Sequence, residues 1–197
     1  VQAQNNVFIG GLAGEFATNY VDAFWISTCF ARINTITATF NSISGEAYAG
    51  GLIGNSSATI SKAYFAGNVS YYADIDIVGN SDYKYSGGLI GYSTNDDLNF
   101  TYALLTDVLS DEGIIIGGAT SGITANTVNN VAVTETGSTT YGGAIVELGI
   151  LENSTTMSGT PYNYNFDSVW TNSVLLGVIT STYKTPILIV FGVENQR

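Results

Sequence analysis

The side chains in this sequence able to do chemistry are carboxylates, hydroxyls and one thiol, because the chain contains no histidine. Without imidazole, the commonest general acid–base group, the usual nucleophile triads and the commonest metal ligand are missing. Cys29 is the single cysteine, so it can close no disulfide within the chain and build no cysteine-based zinc site. Ile26 and Phe30 nearby are apolar, and the expected role is a buried, inert thiol; the alternative is a disulfide between two chains. Two acidic clusters remain. Asp74 and Asp76 alternate, which places them on one face of an expected strand, and Asn95-Asp96-Asp97 lies in a polar stretch. Oxygen-rich loops suit calcium, but neither cluster has the twelve-residue calcium loop or the Gly-Gly-x-Gly-x-Asp roll. They are read as solvated carboxylates, with structural calcium as the alternative, and no cofactor is expected.

Paired carboxylates can also cleave glycosides, but such sites need acids that converge and basic groups that hold an anionic sugar. The five basic residues, Arg32, Lys62, Lys84, Lys184 and Arg197, are scattered singly against a net charge of −11. An enzyme is therefore not expected. The same scatter provides no basic stripe to neutralise nucleic-acid phosphates or to dock on anionic lipid. Gly117-Gly118-Ala-Thr-Ser-Gly122 lacks the Lys-Ser/Thr of a phosphate loop and is read as a turn. The run Thr35-Ile-Thr-Ala-Thr39 would present a hydroxyl row, which half-buried strands commonly carry. Most of the 13 Tyr, 9 Phe and 2 Trp belong in a core, while Tyr71-Tyr72 and Tyr162-Asn-Tyr164 are candidates for an exposed glycan or subunit contact.

Charged residues make up 11% of the chain and hydrophobic ones 45%, so polarity must come from Ser, Thr, Asn, Tyr and Gly, and apolar surface suffices for a core. Four Asn-x-Ser/Thr sequons, at Asn55, Asn68, Asn99 and Asn153, are candidate N-glycosylation sites. Val1-Gln-Ala-Gln reads as the start of a processed chain, and no apolar run reaches membrane-span length. An extracellular or cell-surface protein without a membrane span is expected.

Self-comparison is the most informative step. Gly10-Gly11-Leu12-Ala13-Gly14 recurs as Gly50-Gly51-Leu52-Ile53-Gly54 and as Gly87-Gly88-Leu89-Ile90-Gly91. Degenerate copies are read at Gly117-Gly118-Ala119 and Gly142-Gly143-Ala144-Ile145. Each is followed by a polar stretch and a β-type run, at Ile60 to Val69, Leu98 to Val108 and Val128 to Val133. The stretch from Asp96 to Glu112 has a competing reading as an amphipathic helix with Leu98, Tyr102, Leu105 and Leu109 on one face; its alignment with Ile60–Val69 favours strand. Glycine permits a sharp bend and a close approach of neighbouring backbones, and the Leu is expected to fill the same core layer in every unit. A single all-β domain over 1–197 follows, of β-solenoid or β-helix type. Its clear repeats span about 8–110, its degenerate ones about 111–160, and an apolar strand region covers 161–197.

These Gly-Gly-Leu-x-Gly copies, with the aromatic strand Ala63-Tyr64-Phe65, resemble the GLUG repeat. The resemblance covers roughly residues 8–110. It implies a β-solenoid-like array of the kind found in large surface and secreted proteins, often adhesins.

A stack of this kind has two open ends. Val7-Phe8-Ile9 runs straight into the first Gly turn. Near the other end Ile187-Leu188-Ile189-Val190-Phe191 is continuously apolar, as in a strand buried on both faces. It either closes the chain's own core or is donated to a neighbouring subunit. The expected function is a non-catalytic extracellular structural protein assembling head to tail with its own copies into a filament or surface layer through strand-addition contacts, the alternative being a surface adhesin that binds glycans.

Overall fold

Alternation with a period of two sets the strands. In Thr35-Ile-Thr-Ala-Thr-Phe40, residues Ile36, Ala38 and Phe40 are buried while Thr35 and Thr37 are exposed, as in a half-buried strand. The structure is a computed structural model that describes residues 2–3, 5–16, 25–40, 44–67, 72–79, 82–95, 98–105, 115–120, 130–133, 144–146, 148–166, 169–172 and 186–188.

Within these the strands follow in chain order as β1 (Gln2–Ala3), β2 (Val7–Gly10), β3 (Ala13–Phe16), β4 (Trp25–Arg32) and β5 (Thr35–Phe40). Next come β6 (Glu46–Gly50), β7 (Ile53–Ser56), β8 (Thr59–Ala66), β9 (Asp74–Gly79), β10 (Tyr83–Gly87), β11 (Ile90–Ser93) and β12 (Leu98–Leu104). The last are β13 (Ile116–Ala119), β14 (Asn130–Val133), β15 (Ala144–Ile145), β16 (Trp170–Asn172) and β17 (Pro186–Leu188). Two short helices, α1 (Leu148–Leu151) and α2 (Ser154–Ser158), precede β16. The chain is all-β in class. The stretch after Asp97 is strand, not helix, from Leu98 to Leu104.

Every sheet but one is parallel, and each gathers one strand from each successive repeat. Their orders are β1-β5-β9, β10-β6-β2, β13-β11-β7-β3 and β15-β14-β12-β8-β4; β16 and β17 form a separate antiparallel pair. Equivalent residues meet across each ladder. Gly10, Gly50 and Gly87 form one rung, Ala13, Ile53, Ile90 and Ile116 another, and Phe30, Tyr64, Tyr102 and Val131 a third. The ladder continues through the Gly-Leu segment, where the amides of Leu12, Leu52 and Leu89 donate to Leu52 O, Leu89 O and Ile115 O at 2.9 Å. Repeating apolar rungs bury Leu52, Ile53, Ile60, Phe65, Leu89, Ile90, Leu98 and Ile116 in one core.

The glycines are required for a different reason than a bend. Gly79 is the one described glycine with a positive φ, 143°, and it lies outside the motif. The motif glycines instead lie where a side chain has no room: a Cβ on Gly91 would sit 2.6 Å from Ala49 N, and one on Gly51 would enter the Phe65 ring. The bend is made by other residues. Thr28, Lys62 and Phe100 adopt φ of 57°, 53° and 55°, at the same place in β4, β8 and β12. A left-handed residue there turns the strand and shifts its alternation by one, so Ile60 and Ala63 both reach the core, which also takes Phe65.

The fourth copy of the motif is also displaced from its sequence reading. Ile90 pairs with Ile116 and Leu89 N bonds Ile115 O, so Gly117 matches Gly91, not Gly87. Gly113-Ile114-Ile115-Ile116-Gly117 is therefore the true copy, its first two residues lying outside those described. Ala144-Ile145 pairs with Val131-Ala132, in the sheet that contains β4, β8 and β12, and so is no Gly-Leu segment either. Gly142 and Gly143 lie outside the described residues.

Candidate interaction site

The first repeat forms one margin of three sheets, because β2, β3 and β4 are each the last described strand of their ladder. An edge strand presents backbone donors and acceptors without a neighbour on one side, together with side chains that only half a layer covers. Trp25 is 69% exposed, Leu12 51% and Phe30 43%, whereas Leu52 and Leu89, in the same motif position as Leu12, are fully buried. Leu12 therefore departs from the inward position expected of every copy, since among the described residues no strand lies on its outer side. Phe30 stacks on Tyr64 at 5.0 Å between ring centroids, and Tyr64 on Tyr102 at 4.8 Å. The outer ring of that stack is open.

This margin is nearly uncharged: Glu15 and Arg32 are the charged residues of β2, β3 and β4. Burial pushes the Tyr64 phenol above its ordinary range, partly offset by the charge and hydrogen bond of Arg32. The Arg32 Nε is buried and has no hydrogen-bond partner. Cys29 is partly covered against the core, and burial raises its thiol to about 11, so it stays protonated and unreactive near neutrality.

On the later repeats the outer face of the same sheet is covered. Leu151 and Met157 from the helices, with Tyr164 and Trp170, pack on Tyr64, Tyr102, Leu104, Val131 and Val133. The Trp170 ring lies 5.8 Å from that of Tyr102 and 5.1 Å from that of Tyr164. The Tyr164 hydroxyl donates to Thr101 O at 2.6 Å, and its full burial holds the phenol well above its ordinary pKa. Asn130 completes this region: Thr101 Oγ1 donates to its Oδ1 at 2.7 Å and its Nδ2 donates to Leu98 O at 2.9 Å. Tyr164 is thus core, not an exposed contact residue, and Tyr72 and Tyr162 pack partly buried on the same cluster. Tyr71 lies outside the described residues.

The remaining predicted residues are dispersed. Pro186, Ile187 and Leu188 pair antiparallel with Asn172, Thr171 and Trp170 of the same chain, while Ile189, Val190 and Phe191 lie outside the described residues. Asn55 and Asn99 are partly covered strand residues; the Asn55 Nδ2 donates to Glu15 Oε1 at 3.1 Å. Asn153 is exposed and caps α2, its Oδ1 accepting from Thr156 N at 3.1 Å. Asn68 lies outside the described residues, as do Asp96 and Asp97. Asp74 and Asp76 stand opposite Thr35 and Thr37 on β9, and among the described residues no group of three or more His, Cys, Asp or Glu could hold a metal ion.

A second surface was not foreseen. Glu15, Asn55 and Tyr92 share one rung, and Tyr92 stacks at 4.8 Å on Tyr48, which stacks in turn on Phe8 at 5.0 Å. Burial, then Glu46, drives the Tyr48 phenol far above its ordinary range. The signal in the sequence was the repeated aromatic three residues before the first motif glycine pair ends, as in Phe8, Tyr48 and Tyr85. Among the described residues no helix is long and apolar enough to cross a membrane. No protein-family model matches the chain, and no curated protein or solved structure matches it.

Proposed function

We propose that this chain is a non-catalytic structural module of β-solenoid, GLUG-like type, working outside the cell by associating with copies of itself through an open strand edge. The observation that carries this reading is the contrast within one motif position: Leu12 is half exposed where Leu52 and Leu89 are fully buried. The parallel ladders, with equivalent residues on each rung, support stacked repeats. The low charge, the sequons and the absence of histidine support an extracellular, non-catalytic role. Sedimentation of the purified chain over a wide concentration range tests it. Association that grows with concentration supports the reading, and a monomer throughout overturns it.

Binding of glycans by a surface adhesin is favoured by one observation, the rung of Glu15, Asn55 and Tyr92 beside the stacked Phe8 and Tyr48. Amides and carboxylates bond sugar hydroxyls while rings pack on sugar faces. Glycan-array binding by the monomer, lost in Tyr92→Ala, would select that role.

A further inference from the structure

We propose that Tyr48 and Tyr92 form a modification site, where oxidation by a peroxide joins the two rings through a carbon–carbon bond and staples β6 to β11. The proposal stands apart from the self-association reading. Tyr48 belongs to the second repeat and Tyr92 to the third, yet their rings stack at 4.8 Å between centroids with 17° between planes. Neighbouring rings hold that geometry. Phe8 stacks on Tyr48 at 5.0 Å, and Tyr85 meets Tyr92 at 5.3 Å. Tyr85 is itself pressed against Gly118, where a Cβ would enter its ring.

A phenol that gives up an electron must also give up its proton, so a base at the hydroxyl eases the oxidation. Glu46 is that base: its carboxylate accepts the Tyr48 hydrogen bond and is partly exposed, so the proton can pass on to water. Tyr48 is 5% exposed and Tyr92 half-buried, so the oxidant meets Tyr92 first and the stack passes an electron on from Tyr48. Each phenoxyl radical carries spin on the carbons beside its C–O bond, in orbitals perpendicular to the ring. Stacked rings point those orbitals at each other. One such carbon of each ring bonds to the other, and the hydrogen on each moves to its own oxygen, restoring two phenols. Two electrons and two protons leave the protein, and one hydrogen peroxide takes them up to become two waters. The other stacked tyrosine pair lacks these conditions. Tyr64 and Tyr102 lie as close, at 4.8 Å and 4°, but both are buried against Trp170. Tyr64 is hydrogen-bonded to Arg32, whose guanidinium has donors only and cannot take the proton.

The dilute full chain, treated with hydrogen peroxide and a haem peroxidase, should gain dityrosine fluorescence and lose the mass of two hydrogens without joining a second chain. Peptide mapping should find the fragments bearing Tyr48 and Tyr92 linked. Tyr48→Phe and Tyr92→Phe keep the rings but remove a phenol, and each should abolish this link, whereas Tyr85→Phe should keep it. Glu46→Gln should slow its formation about 10-fold or more, as for loss of a positioned base. The proposal is overturned if no link forms within the chain, if the link survives Tyr92→Phe, or if it maps to Tyr64 and Tyr102 instead. An unchanged rate in Glu46→Gln overturns the part given to its carboxylate.

Discussion

Phe30, Tyr64 and Tyr102 occupy one rung of one ladder and stack ring on ring, yet Tyr64 and Tyr102 are buried while Phe30 is 43% exposed. The difference lies in what surrounds the rung. Over the later repeats Tyr164 and Trp170 close the outer face, and each interior strand has a neighbour on both sides. At the first repeat neither condition holds among the described residues. The same local sequence pattern thus yields core where described strands flank it and exposed apolar side chains where they do not, because a repeat buries its apolar face only against its neighbours.

The sharpest way to break this contrast is at its two tryptophans. Trp170→Ala should cost about 3–5 kcal/mol, as for a buried aromatic, and Trp25→Ala within about 0.5 kcal/mol, both read from urea midpoints of the monomer. A large loss at Trp25 would mean that the first-repeat margin is core after all. Next come the paired leucines. Leu52→Ala should destabilise by about 2–5 kcal/mol and Leu12→Ala by less than about 1 kcal/mol, measured the same way.

The bend residues give a smaller effect of opposite signs. Lys62 holds a left-handed conformation, so Lys62→Gly should be neutral or stabilising by up to about 1 kcal/mol, and Lys62→Val destabilising by about 1–2 kcal/mol. Equal losses in both variants would show that the bend is not strained.

The last effect, confined to alkaline pH, is the response of Cys29. Well below pH 9.0 the thiol is protonated in folded and unfolded chains and contributes no slope. Between there and about 11 the unfolded chain releases a proton that the folded chain keeps, so stability falls as pH rises. Cys29→Ala should remove that part of the decline, seen as a flatter urea midpoint against pH than in the parent. An unchanged slope would place the thiol in water.

Much of the ladder was legible in advance because it is a repeat. Three near-identical Gly-Gly-Leu-x-Gly copies put Leu52 and Leu89 in one layer and located β8 and β12 from their β-type runs. The fourth copy was misplaced by one strand, since Gly117-Gly118 imitates the start of the motif while pairing as its end. Its true signature, two isoleucines and a glycine at 115–117, lacks the paired glycines that drew attention. The bends at Thr28, Lys62 and Phe100 were silent because no glycine marks them. The candidate edge was half legible: an uncapped first repeat was expected, but nothing local distinguishes Leu12 from Leu52.

By itself the sequence determined the strand period, the repeat spacing, the scarcity of charge and the lack of histidine, all of which are local or compositional. Tertiary structure decided which copies are covered. The helices and Trp170 that cover the later rungs come from far along the chain, and a short helix such as α2, with five residues, has too few turns to announce itself by periodicity. Burial is a property of neighbours in space, so identical motifs at Leu12 and Leu52 acquire opposite roles only once the strands are stacked.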